Sequence, residues 1–387
     1  MADQGEKLSL LPEAFQERFR YLAVFAADFD VPAAAAVWGL GEEETDETLG
    51  AFVRGGLLEG TNERYKLDDL ARALAASQLT EEETAQAKRR YAVYIGRLGN
   101  AHADLGDIRG AIECYEQDLA IRREIGDRRG EGIAVGSLGS AYYLLSEMQA
   151  AIEHYEQYLV IVREIGDRYG EGVALGNLGG AYHHLGQTRR SIEYHEQHLA
   201  IAREIGDRHG EGNAVGNLGI AFQDLGETRR AIEHLERHLA IAREIGDRKG
   251  EGNALAHLGI AYKSLGETRH AIEYYEQHLA ISREIGDRRG EGNALGCLGN
   301  AYAELGETRR ALEHLERQLN LTHEIGDRRG EAYASWNLGL TYETLGDLAR
   351  AAELMQVMVD FRRELGHPDA DEYSAYLEDL RAKLGSE

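Results

Sequence analysis

The chain has 387 residues, 43% of them hydrophobic and 29% charged, with a formal net charge of −25, a balance that permits folding and disfavours nonspecific binding to nucleic acid or anionic membrane. Two cysteines, Cys114 and Cys297, lie far apart in nearly identical surroundings, which speaks against a disulfide framework or zinc knuckle and makes a reducing, cytoplasmic location the expectation. No run approaches ~20 uninterrupted apolar residues, so no membrane span is expected, and the polar opening MADQGEKLSL does not read as a signal peptide.

Residues 1–90 carry no internal repeat. Leu11–Phe25, Val31–Trp38 and Glu43–Val53 read as three helices. Leu57–Glu59 and Arg64–Leu67, flanking a Thr61-Asn62-Glu63 turn, predict a short hairpin, and Asp69–Ala76 a further helix.

From Tyr91 the chain superimposes on itself in steps of forty. Blocks open at Tyr91, Glu131, Glu171, Glu211, Glu251, Glu291 and Glu331, and those at 211 and 251 share 28 of 40 residues. In the block from Glu211, Val215, Leu218, Phe222 and Leu225 form one helical stripe; Ala231, Ile232, Leu235, Leu239, Ile241 and Ile245 form a second. Gly226 and Gly246 stand just past the two stripes, where a left-handed residue ends a helix at least cost. The GDRxG signature at 126–130, 166–170, 206–210, 246–250, 286–290 and 326–330 then sets an aspartate to cap the next helix. Gly216 and Gly219 inside the first helix cost ~1 kcal/mol each against alanine, which predicts a close approach of the partner helix there. Beyond Pro368, Tyr373, Leu377, Leu380 and Leu384 share one helical face and predict a helix covering the last repeat.

Leu218, Gly219, Phe222, Ala231 and Leu235, with tyrosine at the Phe222 position in most other blocks, resemble the tetratricopeptide-repeat (TPR) pattern. The forty-residue spacing and the G-N-L-G-x-A-[YF] run are similar to the long-helix subclass of LGN and kinesin light chain. The resemblance implies an all-α TPR solenoid, a right-handed superhelix of helical hairpins, over 91–366, with 367–387 as capping helix and tail. One departure is His198, His238 and His278, where the family usually has alanine. The segments LPEAFQERFRYLAVFAADFD, AAAAVWG and RYKLDDLARALA resemble the winged-helix module of NB-ARC/STAND ATPases, implying a small winged-helix-like domain over 1–90. Asp68 replaces the histidine with which that family reaches nucleotide, and the chain has no G-x-x-x-x-G-K-[ST] phosphate loop, so the resemblance implies a STAND back half without its ATPase core. Met1 is equally consistent with a native start and with a truncation point.

In such an array the first helices line the concave surface. Asn213, Asn217, Ile220 and Asp224 lie beside the core stripe; their equivalents include Val173, Asn177 and His184; Asn253, His257 and Ile260; Asn293, Cys297 and Asn300; Tyr333 and Asn337. Asparagine is a mediocre helix former, and its amide offers both a donor and an acceptor to a bound backbone. Asn177, Asn213, Asn217, Asn253, His257, Asn293, Asn300 and Asn337 are therefore the expected peptide-binding residues; the alternative is that they are consensus residues facing solvent.

The pairs His234/His238 and His195/His198 recur with the repeat and lack a third ligand, so they read as structural, and the cysteines as packing or groove residues. The arginine pairs at 189–190, 229–230 and 309–310 read as solvated charge. No residues converge on a catalytic site or a cofactor. The expectation is a non-enzymatic scaffold or sensor arm taking a protein or peptide partner. The rival is a winged-helix transcription regulator with the repeats binding its effector, but its third helix opens Glu42-Glu43-Glu44-Thr45-Asp46-Glu47, which would repel phosphates. Oligomeric state is not encoded in these patterns.

Overall fold

A computed structural model describes residues 2–61 and 63–384. The chain divides into two compact units, Met1–His184 and Leu185–Glu387.

The first unit opens with helices α1 (Ala2–Ser9), α2 (Glu13–Tyr21), α3 (Val31–Trp38) and α4 (Glu42–Arg54). Antiparallel strands β1 (Glu59–Thr61) and β2 (Arg64–Lys66) and helix α5 (Asp69–Ser77) follow. Three sequence expectations change here. The first helix stops at Tyr21 and the chain tightens into a 3-10 turn, Leu22–Val24, before bending away. The hairpin pairs two residues later than expected on its first strand, because Leu57, Leu58 and Leu67 go into the core instead of the ladder. Asn62 of the expected turn lies outside the described residues. Helix α1 was not anticipated; it brings Leu8 onto a core of Phe19, Leu22, Phe25, Phe29, Leu49 and Phe52. Aromatic geometry organises that core, with Phe25 stacked on Phe29 at 4.2 Å and Phe19 edge-on to Phe52 at 5.4 Å.

Helix α6 (Glu81–Asp104) opens under a capping box at Thr80 and Glu83, and it runs unbroken through residues 90 and 91. With α7 (Ile108–Glu124), α8 (Arg128–Leu144), α9 (Met148–Glu164) and α10 (Arg168–His184) it completes the first unit. The second unit is helical among the described residues: α11 (Thr188–Ile205), α12 (Arg208–Asp224), α13 (Thr228–Ile245), α14 (Arg248–Ser264) and α15 (Thr268–Glu284). Then come α16 (Arg288–Glu304), α17 (Thr308–Glu324), α18 (Arg328–Thr344), α19 (Leu348–Glu364) and α20 (Ala370–Leu384). The architecture is an all-α solenoid of stacked hairpins.

The glycine prediction holds at atomic detail. A Cβ at Gly219 would sit 2.7 Å from Leu235 Cγ, and one at Gly139 would sit 2.7 Å from the Tyr155 ring. Ala231, Ala271 and Ala311 are fully buried at the same crossings. The turn glycines Gly226 and Gly246 have φ of 74° and 72°. The capping aspartates act as expected: Asp207, Asp247 and Asp287 accept from the backbone N–H groups of Gly210, Gly250 and Gly290 at 2.8–2.9 Å. At the C-terminal end, α20 covers α19 through Leu377 and Leu380. Leu384, expected on the same face, is 40% exposed because the covered surface ends one turn earlier.

Candidate functional site

Each first helix turns one stripe into its own hairpin and leaves a neighbouring stripe outside. On α12, Ala214, Val215, Leu218 and Phe222 are buried, while Asn213 and Asn217 are exposed. Asn253 on α14 and Asn293 on α16 are exposed in the same way. Asn177, His257, Asn300 and Asn337 are half-buried. Among the described residues none of these seven asparagine side chains takes part in a hydrogen bond. Asn100, in the first block, differs: its amide oxygen accepts from Tyr115 Oη at 2.7 Å.

In the second unit, Asn213, Asn217, Asn253 and His257 come together around one recess of about 410 Å³, with Ile220, His238, Asp247 and Lys249. Its floor is the imidazole of His238, whose room is made by Gly216, where a Cβ would meet the ring at 2.7 Å. At His238 this accounts for the departure seen in the sequence, since glycine on the facing helix accommodates the histidine; facing His278 the equivalent residue is Ala256. Gly296 plays the same part beneath Gln318. Burial pushes the His238, His257 and His278 imidazoles below the usual histidine range, so they are neutral near pH 7. Asn293 and Asn300 on α16 and Asn337 on α18 carry the row further along the unit.

In the first unit the corresponding recess, about 340 Å³, takes in Asn177 but is mainly apolar, with Ile133, Val173, Leu144, Tyr115 and Tyr158. Valine and isoleucine there occupy the position that Asn213, Asn253 and Asn293 occupy later. A larger cleft, about 620 Å³, lies between the N-terminal segments and α6–α7, lined by Phe25, Phe29, Arg64, Lys88, Tyr91 and Tyr94 among others. Two of its cations are matched internally, Arg64 by Asp28 at 3.0 Å and Lys88 by Glu124.

The remaining candidates resolve into packing. His234 stacks on Phe222 at 5.2 Å, away from the floor position of His238. Arg230 pairs with Glu227 at 2.6 Å and lies 3.8 Å over the Phe222 ring; Arg310 pairs with Glu307 at 2.9 Å. Burial raises the Cys297 thiol above its usual range, which makes it a poor nucleophile. Among the described residues no three His, Cys, Asp or Glu side chains are placed to hold a metal, and no helix is long and apolar enough to cross a membrane. Sequence reasoning missed the exposed basic residue inside GDRxG, although the variable fourth position of that signature held it in view.

The family model described as tetratricopeptide repeat matches residues 89–164, 170–244, 210–284 and 291–364, more than half of the chain. No curated protein matches it significantly. Among solved structures, the chain is similar to a signal transduction ATPase with numerous domains (STAND) protein with a tetratricopeptide repeat sensor from Pyrococcus horikoshii. The identity is 18%, the TM-score 0.63, and the match covers 98% of this chain and 61% of that one, so the chain spans about three fifths of that protein's length. It is also similar to the apo form of RapI, at 17% identity and TM-score 0.59, over 71% of this chain and 98% of that one. A Rap protein complexed with competence and sporulation factor matches at 15% identity and TM-score 0.52, over 100% of this chain and 99% of that one.

Proposed function

The chain belongs to the tetratricopeptide-repeat family, and from that premise we propose that it is a protein-interaction scaffold or sensor arm that receives a segment of a partner protein on the exposed face of its first helices. The observation that carries this reading is the row of side-chain amides with no intramolecular partner. A buried or half-buried amide without hydrogen bonds is costly, and an exposed one weakens its helix, so a row repeated at forty-residue intervals suits a ligand backbone that supplies the missing donors and acceptors. A fold-mate solved in complex with competence and sporulation factor supports a solenoid of this kind taking a partner. In this reading residues 1–90 are a winged-helix-like module of the STAND type, 91–366 the receptor array and 367–387 the end cap, in the cytoplasm. The transcription-regulator alternative gains nothing from α4, whose first turn holds Glu42, Glu43 and Glu44.

Co-purification identifies the partner, and the triple substitution Asn217→Ala, Asn253→Ala, Asn293→Ala tests the face. Partner binding is expected to fall at least tenfold with Tm nearly unchanged, since no hydrogen bond within the fold is lost. Unchanged affinity would remove these residues from the site.

A further inference from the structure

The net charge of −25 points toward basic partners, yet beside the second unit's recess, where Asp247 is taken up as a helix cap, the side chains left without a partner are basic. The acids there are already engaged. Glu211 is bound by Arg203, Arg208 and Arg237, and Glu251 by Arg243 and Arg248. Glu291 is bound by Arg283 at 2.8 Å and Arg288 at 3.0 Å. Glu304 meets Thr268 at 2.9 Å and Lys263 at 3.6 Å, and Asp247 and Asp287 cap their helices. Lys249 and Arg289, by contrast, make no ion pair, hydrogen bond or ring contact among the described residues. Lys249 lines the recess itself, and Asn253 follows it by four residues, on the same face of α14. Arg289 precedes Asn293 on α16 by the same interval.

We propose that the segment taken by the second unit is acidic, with side-chain carboxylates of an extended peptide pairing with Lys249 and Arg289 while Asn253 and Asn293 hold its backbone. This inference rests on the receptor reading of the same face and specifies the chemistry of its ligand. A carboxylate arriving at either cation has no internal acid to displace. Charges more than about 8 Å away are largely screened at physiological ionic strength, so the chain's distant glutamates do not cancel the local attraction. A basic segment would meet two free cations and acids already engaged. A nucleic acid would need many cations to offset the chain's charge, and the amides beside the two cations match a peptide backbone.

The test uses the full chain at physiological salt and fluorescein-labelled twelve-residue peptides blocked at both ends, built from a Glu-Ala-Gly, Gln-Ala-Gly or Lys-Ala-Gly triplet, with a twelve-residue oligothymidylate alongside. The blocked ends exclude recognition of a terminal carboxylate. By fluorescence anisotropy the glutamate peptide should bind about tenfold tighter than the glutamine peptide, the worth of two exposed ion pairs. Lys249→Gln with Arg289→Gln should level the two, while Arg229→Gln with Arg269→Gln, the same charge change on the second helices, should leave the preference intact. Absence of peptide binding, equal or tighter binding of the glutamine, lysine or thymidylate probe, or the same loss in the control variant would overturn the proposal. If the triple asparagine variant loses both neutral and acidic peptides while the Lys249 and Arg289 variant keeps the wild-type profile, the receptor face stands and the acidic preference fails. If only the Lys249 and Arg289 variant loses binding, the anion site stands and the amide reading fails.

Discussion

Glycine carries two opposite roles in this chain, and geometry separates them residue by residue. Ala at 219 would gain helix propensity but would drive a methyl to 2.7 Å from Leu235 Cγ, a branch point that cannot swing aside. Gly219→Ala should therefore lose about 1–3 kcal/mol through overpacking. At Gly252 the nearest atoms are Ile281 Cγ2 at 3.5 Å and His278 Cδ2 at 3.6 Å, ordinary contact distances. Gly252→Ala should gain about 0.5–1 kcal/mol from helix propensity. Urea denaturation of the two variants checks the pair, and equal signs would refute the crossing argument. The asparagine row was legible in the sequence for a similar reason: a residue that a helix does not favour, repeated in register, asks for a cause. Lys249 and Arg289 were not legible, because their neighbours Arg248 and Arg288 have the same chemistry and only geometry shows that those reach Glu251 and Glu291 while these reach no acid.

At the scale of the helix, the second helices α11, α13 and α15 carry His198, His238 and His278 at one repeat position; His198 and His278 are buried and His238 is half-buried. The Nδ1 atoms of His198 and His278 have no hydrogen-bond partner in the fold. Desolvation lowers all three below the ordinary histidine range, opposed by Asp207, Asp247 and Asp287 respectively. The neutral form is thus the folded form. As pH falls through about 6.5, the unfolded chain takes up protons before the folded chain does, so stability present above that pH is lost on acidification down to the folded-state values. The urea midpoint should decline between pH 7.5 and pH 5.5. His198→Gln, His238→Gln and His278→Gln together should flatten that decline, since Gln318 already fills the equivalent place in the next block. An unchanged slope would show that the acid sensitivity lies elsewhere. These helices were readable from sequence because seven copies of one pattern average out local ambiguity. The single-copy N-terminal segment was not readable to the same depth: whether Leu57 and Leu67 enter a ladder or a core depends on Phe19 and Phe29, residues far from them in the chain.

For the whole chain, stability in a stacked array is a sum of repeat terms and nearest-neighbour terms, so separated parts need not unfold together. The chain carries a natural pair of reporters, for its two tryptophans fall one in each compact unit. Trp38 donates to the Arg18 carbonyl at 2.8 Å and packs edge-on to Phe52 at 6.3 Å, inside a core closed by helices and a hairpin. Trp336 stands where the other blocks have glycine or alanine, edge-on to Tyr373 at 4.6 Å and near Tyr376 at 5.4 Å, so both of its aromatic neighbours come from α20. That helix is held through Leu377 and Leu380. In urea, a Trp38→Phe variant, reporting only Trp336, should show its fluorescence transition at lower denaturant than a Trp336→Phe variant, reporting only Trp38. Coincident midpoints and slopes would mean that α20 is not a weak element and that the two units unfold as one cooperative body.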